Sequence, residues 1–279
     1  MSEIGKQTKK AGSEFGGEWT KAKLTILEKY LSFYVRALKN QKVKLTYIDA
    51  FAGSGKTSLP TGDIEGSASI AMKYDFDQYF FIEYDQNRLL DLKKYISEKF
   101  PQKAGKVSYL QGDCNEELIK VFNGLNKYQR GVMFLDPYAM EMRWEVLQAA
   151  QKTEILDIWY LFPVMAVNRN LKNDGEISES VKQKISAILP AGWYEALYYE
   201  NPQMNMWNFT DMRKVNTANL IAFIQEKIKG VFPHVATKPV ELKNSKNSLQ
   251  FLLCFMISNP SPKAGSLAKK VVEDIVDAI

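Results

Sequence analysis

One stretch constrains this chain more than any other: Tyr47-Ile48-Asp49-Ala50-Phe51-Ala52-Gly53-Ser54-Gly55. An apolar run from Val43 to Ile48 meets an acid, Asp49, and then a turn with glycines at alternate positions. Glycine adopts φ > 0 without steric penalty and lets a ligand approach bare backbone N–H groups. A strand that ends this way opens a site for a nucleotide-type ligand. S-adenosylmethionine suits such a turn in an open, doubly wound sheet. A triphosphate suits it too, because Ala50 to Thr57 fits a relaxed phosphate-loop pattern ending in Gly55-Lys56-Thr57.

The flanking chain alternates strand and helix. Strands are predicted over 43–49, 78–83, 106–111, 131–135 and 155–162, with helices over 19–38, 67–73, 86–99, 114–126 and 143–151. Residues 56–66, with Pro60, Gly62 and Gly66, read as a loop, and Ser67 as the N-cap of the helix after it. Such alternation, with acids at strand ends, describes a parallel sheet covered on both faces. Beyond Pro163 helices are predicted over 164–171, 179–189, 192–199 and 211–229. They and their connections are rich in aromatics such as Trp193, Tyr194, Tyr198, Tyr199 and Trp207. Strands over 235–242 and 249–258, joined by Lys243-Asn244-Ser245-Lys246-Asn247, form a hairpin, and a helix over 264–279 follows. The fold class is therefore α/β: a Rossmann-like, mostly parallel doubly wound sheet with a C-terminal antiparallel hairpin strand and a helical insertion at about 171–230. Residues 1–17, polar and rich in Gly, Ser and Lys, read as a flexible segment before one domain over 18–279.

Composition removes several classes of chemistry. His234 is the only histidine, which excludes mechanisms resting on several. Cys114 and Cys254 lack metal-ligand spacing, so no metal site and a reduced, cytoplasmic setting are expected. No apolar run has membrane-span length, and the Lys-rich start lacks the apolar core of a signal peptide. A net charge of +5 permits nucleic-acid binding without demanding it.

Ligands of open α/β sheets sit beyond the carboxyl ends of the strands, at the topological switch point. Asp49, Phe51, Ala52, Gly53, Ser54 and Gly55 belong there as the cofactor turn. Glu83 is placed to accept from both ribose hydroxyls. Asp113 is placed to accept from an adenine amino group, with Cys114 or a backbone N–H reading the ring edge. Asp136 stands where a transferable methyl group would point. Each acid alone is a weak signal, since acids also cap helices and form turns, but four in order after a glycine turn are more specific. The phosphate-loop alternative assigns Lys56 to the β- and γ-phosphates, and Thr57 and Asp136 to Mg²⁺. It needs a helix directly after the loop, which Pro60 and Gly62 would interrupt, and it leaves Asp49 and Glu83 without a duty.

Several runs together resemble the three-Cys-motif partner (TcmP) family over nearly the whole chain. They are Phe15-Gly16-Gly17-Glu18-Trp19-Thr20, the Tyr47 to Gly53 turn, Phe81-Ile82-Glu83, Gln111-Gly112-Asp113, Phe134-Leu135-Asp136-Pro137-Tyr138, and Trp159-Tyr160-Leu161-Phe162-Pro163 with Asn168-Arg169. The resemblance continues through Asn244-Ser245-Lys246 and Phe251-Leu252-Leu253-Cys254-Phe255. It implies a methyltransferase-like fold and a partner protein with three clustered cysteines, itself resembling radical S-adenosylmethionine enzymes. It implies no particular substrate, and the chain departs from the family at Lys56-Thr57. Asp136-Pro137-Tyr138 also resembles the Asp-Pro-Pro-Tyr loop of methyltransferases that act on exocyclic amino groups of adenine or cytosine, short of one proline. In that scheme Asp136 and Pro137 hold the amino group and Tyr138 stacks on an extruded base. The bland alternative packs Tyr138 into the core. Asn168, Arg169 and Lys23 are candidates to line the substrate pocket. The expected function is S-adenosylmethionine-dependent methylation of a nucleobase in DNA or RNA. The alternatives are a partner protein that binds the cofactor and transfers nothing, and a phosphate-loop NTPase.

Overall fold

The computed structural model describes residues 17–59, 62–200 and 212–278. Phe15, Gly16, Pro60 and Trp207 lie outside the described residues, as does nearly all of the segment expected to be flexible.

The chain opens with α1 (Glu18–Leu38). Leu24, Leu27, Leu31 and Tyr34 recur at helical steps on it, and all are buried. β1 (Lys44–Asp49) leads through the glycine turn into β2 (Lys56–Leu59) and β3 (Gly62–Glu65), then α2 (Ser67–Met72). Next come β4 (Gln78–Glu83), α3 (Gln86–Lys99), β5 (Val107–Gln111), α4 (Cys114–Gly124), β6 (Gln129–Leu135), α5 (Trp144–Lys152) and β7 (Leu156–Phe162). The region after β7 holds α6 (Val164–Asn170), α7 (Glu179–Ile188), α8 (Trp193–Leu197), β8 (Tyr198–Glu200), β9 (Met212–Lys214) and α9 (Thr217–Val231). β10 (His234–Val235), β11 (Val240–Lys243), β12 (Leu249–Ile257) and α10 (Pro262–Asp277) complete the described chain.

The main sheet runs β10-β12-β7-β6-β1-β4-β5, with β11 also paired to β12. β5, β4, β1, β6 and β7 are mutually parallel, and β12 is antiparallel to β7. Successive side chains of a strand face opposite ways, and each face of this sheet has its own core. Tyr47, Phe81, Phe134, Trp159 and Phe255 pack under α1, α2, α3 and α10. Ile48, Ile82, Leu135, Ile158 and Tyr160 pack under α4 to α9. A fully buried large side chain contributes roughly 1.5–3 kcal/mol, so two such layers hold the strand ends rigidly in register.

Four sequence expectations change. Residues 56–59 and 62–65 are not a loop: Lys56 pairs with Glu65 and Leu59 with Gly62 in an antiparallel hairpin. Ser67 is the first residue of α2, and Gly66 takes the N-cap position. The insertion is not wholly helical, because β8 and β9 pair between Tyr198 and Lys214. The strand expected over 235–242 is two strands. Ala236 still donates to Phe255 O at 3.0 Å, but Pro239, which has no N–H, stands before pairing resumes at Val240.

Candidate functional site

β1 lies between β4 and β6 and is parallel to both, so the crossovers diverge at its carboxyl end. An open sheet leaves a crevice at that point. Asp49 ends β1 fully buried beneath the turn rather than facing the crevice. Its carboxylate accepts from the Phe51 N–H at 3.2 Å, from Tyr47 Oη at 3.4 Å, and from Ser67. Burial pushes its carboxyl up to about 7; those hydrogen bonds oppose the rise and the charge of Asp136 adds to it. Asp49 shapes the turn from below.

The two glycines of the turn do different work. Gly53 has φ +60, and a Cβ built on it meets nothing within 4 Å, so this side of the turn is open. Gly55 has φ +82 and faces inward, where a Cβ would lie 2.9 Å from Leu92 and 3.1 Å from Ser69. The Gly55 carbonyl accepts from the Gly66 N–H at 2.9 Å and from Ser69 Oγ, which closes the β2–β3 hairpin onto the turn. Phe51 and Ser54 are half-buried and Ala52 is buried, its N–H donating to Ile82 O at 3.0 Å. After the turn the chain enters β2, and a helix begins only at Ser67. Lys56 and Thr57 therefore lie on a strand, without the helix N-terminus that holds phosphates in a phosphate loop.

Glu83 ends β4 and bridges two loops. Its Oε2 accepts from the Gly53 N–H and its Oε1 from the Asp85 N–H, both at 2.9 Å. A carboxylate offers about four lone-pair sites, so each oxygen retains acceptor capacity. Gly112, after β5, donates to Glu83 O at 3.3 Å and brings the next loop alongside. There Asp113 caps α4, accepting from the Asn115 N–H at 2.8 Å. Burial raises the Asp113 carboxyl, but hydrogen bonds from Asn115 and Glu116 and the Arg143 charge outweigh it and hold it below its ordinary value. The Cys114 thiol is pushed up to about 12 by burial, with the charges of Asp113 and Glu141 adding, so it is a poor nucleophile.

Asp136 follows β6 and receives Lys23 Nζ on Oδ2 at 2.5 Å. The Lys23 side chain is only 8% exposed, and its ammonium also sits 4.9 Å from the Trp19 ring centroid. Lys23, expected in a substrate pocket, thus meets the candidate catalytic acid. Pro137 is buried, whereas Tyr138 is 92% exposed, which overturns the alternative of a core tyrosine. The loop beneath Tyr138 is pinned by Asn115: its Nδ2 donates to Glu141 O at 2.9 Å and its Oδ1 accepts from the Arg143 N–H at 2.8 Å.

On α6, Arg169 is exposed and Asn168 is half-buried, its carbonyl accepting from Lys214 Nζ at 3.2 Å. Asn170 rather than Asn168 reaches the loop after β6, approaching Met140 Sδ at 3.9 Å. Asn115 and Asn170 were not singled out by sequence reasoning, since an asparagine near a helix end carries no signal of a long-range contact. Two clefts of about 590 Å³, one lined by Lys182 and Trp193 and the other between α1 and α10, lie away from the strand ends. The convergent acids, not cavity size, mark the site. Among the described residues no helix is long and apolar enough to cross a membrane.

Five parallel strands diverging from β1, closed by antiparallel β12, define a Rossmann-like methyltransferase fold. Among solved structures, a Legionella pneumophila Philadelphia 1 protein of the DUF519 family shares this fold. Its TM-score is 0.51 at 14% identity, over 95% of this chain and 92% of that one. The methyltransferase domain of bacterial CtHen1 aligns more loosely, with a TM-score of 0.40 at 12% identity over 83% of this chain and 98% of that one. The N-terminal domain of EvdMO1, solved with SAH bound, has a TM-score of 0.40 at 10% identity over 83% and 80%. No family model matches the chain, and no curated protein matches its sequence.

Proposed function

We propose that the chain is an S-adenosylmethionine-dependent methyltransferase acting on an exocyclic amino group of a nucleobase in DNA or RNA. The observation that carries this reading is the Glu83 carboxylate, held at 2.9 Å by the Gly53 and Asp85 N–H groups beside the open side of Gly53. Each of its oxygens keeps room for one hydroxyl of a vicinal diol, the recognition element of a ribose. The residues present therefore fit the cofactor: Glu83 for the ribose, Gly53 for close backbone approach, and Asp113 with the Cys114 N–H for the base. The bound cofactor would supply a methyl group activated on a sulfonium.

The protein's part is to present the acceptor. Asp136, with Oδ2 taken by Lys23, retains Oδ1 to accept from an amino group and to orient its lone pair. Tyr138, 92% exposed, offers a ring face on which an extruded base can stack. Motif resemblance supports membership of the TcmP family and, with it, a partner carrying three clustered cysteines. Loss of methylation with retained cofactor binding in Asp136→Ala supports the proposal, and full activity in that variant contradicts the role of Asp136.

One observation favours a second reading, in which the chain binds the cofactor but transfers nothing. The Lys23 ammonium already occupies one oxygen of Asp136 at 2.5 Å. Stable co-purification with a partner, with cofactor bound and no turnover on any nucleic acid, is the outcome that reading predicts.

A further inference from the structure

Lys23 is a buried cation that the proposed transfer does not use. Its ammonium lies between Asp136 Oδ2, at 2.5 Å, and the Trp19 ring. Trp19 in turn packs 4.9 Å from the ring of Phe251 on β12, so the antiparallel part of the sheet steadies the lysine. Taking an ammonium out of water is costly unless a fixed counter-charge compensates it, and Asp136 is that charge. Asp136 stands two residues past Phe134, which pairs with Asp49 across β6 and β1. Its charge also reaches the buried Tyr47 and Asp49 at the end of β1.

We propose that Lys23 sets the charge balance at the transfer position. By neutralising Asp136 it keeps the site from holding the cationic cofactor much more tightly than the demethylated product, which has one positive charge fewer. Lys23 is in this sense a positioning residue: it acts through Asp136, fixing Oδ2 and leaving Oδ1 toward the acceptor. The inference rests on the reading of the chain as an S-adenosylmethionine-binding protein. A lone carboxylate a few ångströms from a sulfonium in a partly screened crevice would favour the cation by about tenfold or more. Removing the carboxylate and leaving the lysine would do the reverse.

The test is calorimetric affinity for S-adenosylmethionine and S-adenosylhomocysteine at pH 8. The proteins compared are the wild type, Lys23→Met, Lys23→Arg, Asp136→Asn and the Lys23→Met/Asp136→Asn double variant. The ratio of the two affinities should rise about tenfold toward the cation in Lys23→Met and fall in Asp136→Asn. It should stay near the wild-type ratio in Lys23→Arg and in the double variant, as a charge-coupled pair requires. A purely packing role would weaken both ligands together and leave the ratio unchanged. An unchanged ratio in both single variants overturns this inference and leaves the cofactor reading standing; failure of the wild type to bind either ligand overturns both.

Discussion

The Gly53 N–H donates to Glu83 Oε2 at 2.9 Å, tying the turn after the first strand to the end of its neighbour. Because Glu83 Oε1 is held by Asp85, the carboxylate cannot swing away without releasing two backbone donors. Glu83 and the glycine turn are therefore one rigid unit.

The two glycines of that unit should respond differently to alanine. Gly53→Ala places a Cβ in open space at φ +60, so its cost to stability is the left-handed backbone alone, roughly 1–2 kcal/mol. Its Cβ enters the crevice, and cofactor binding should fall. Gly55→Ala adds overlap with Leu92 and Ser69 at 2.9 and 3.1 Å and should cost more than Gly53→Ala in urea denaturation. Equal costs would mean that Gly55 is not the inward-facing member.

Asn115→Ala should loosen the loop after β6. It removes the bonds to Glu141 O and the Arg143 N–H, a loss of about 2–3 kcal/mol for a nearly buried side chain with several partners. Hydrogen exchange should speed up at Glu141 to Arg143. Unchanged protection there would show that the loop is held by other contacts.

Much of this arrangement was legible in the sequence, for physical reasons. β4 and α3 were predicted with their observed bounds, because alternating apolar runs and the Phe100-Pro101 stop are local signals. Glu83 and Asp136 could be singled out because acids that follow parallel strands come together at one end of the sheet. The β2–β3 hairpin was hidden, since four-residue strands around Pro60 and Gly62 look like loop. The Lys23–Asp136 pair was hidden too, because its partners stand 113 residues apart and no periodicity reports such a contact. The depth of Asp49 was equally invisible: a strand-end acid reads the same in sequence whether it faces the crevice or supports the turn from beneath.

Tyr138→Ala should separate function from stability. With 92% of the residue exposed, its removal should change unfolding free energy by no more than ~0.5 kcal/mol. Methyl transfer to a nucleic acid should nevertheless fall at least tenfold, since base stacking is worth roughly 1–3 kcal/mol. A variant as active as the wild type would remove Tyr138 from the site.

Stability should fall as pH rises from about 4 to 7. Asp49 and Asp157 both have carboxyls raised from 3.8 to about 7, burial being the main cause. In that window the folded state holds protons that the unfolded chain has released, so their contribution is most favourable in acid and is lost as pH rises through the folded value. Asp49 carries the larger share, because it is fully buried, whereas Asp157 is half-buried beside Tyr30. Asp49→Asn should flatten the slope and gain stability relative to the wild type at pH 8. Urea denaturation at a series of pH values checks this, and an unaltered slope would contradict it.

The central claim is that the crevice after β1 holds S-adenosylmethionine. Calorimetry of S-adenosylmethionine, S-adenosylhomocysteine and Mg-ATP against the wild type and Glu83→Ala tests it most directly. The account predicts binding of the first two, lost or weakened at least tenfold in Glu83→Ala, where two backbone donors and the ribose acceptor go together. Binding of Mg-ATP alone, unaffected by Glu83→Ala, would contradict it and make Lys56 and Thr57 the site.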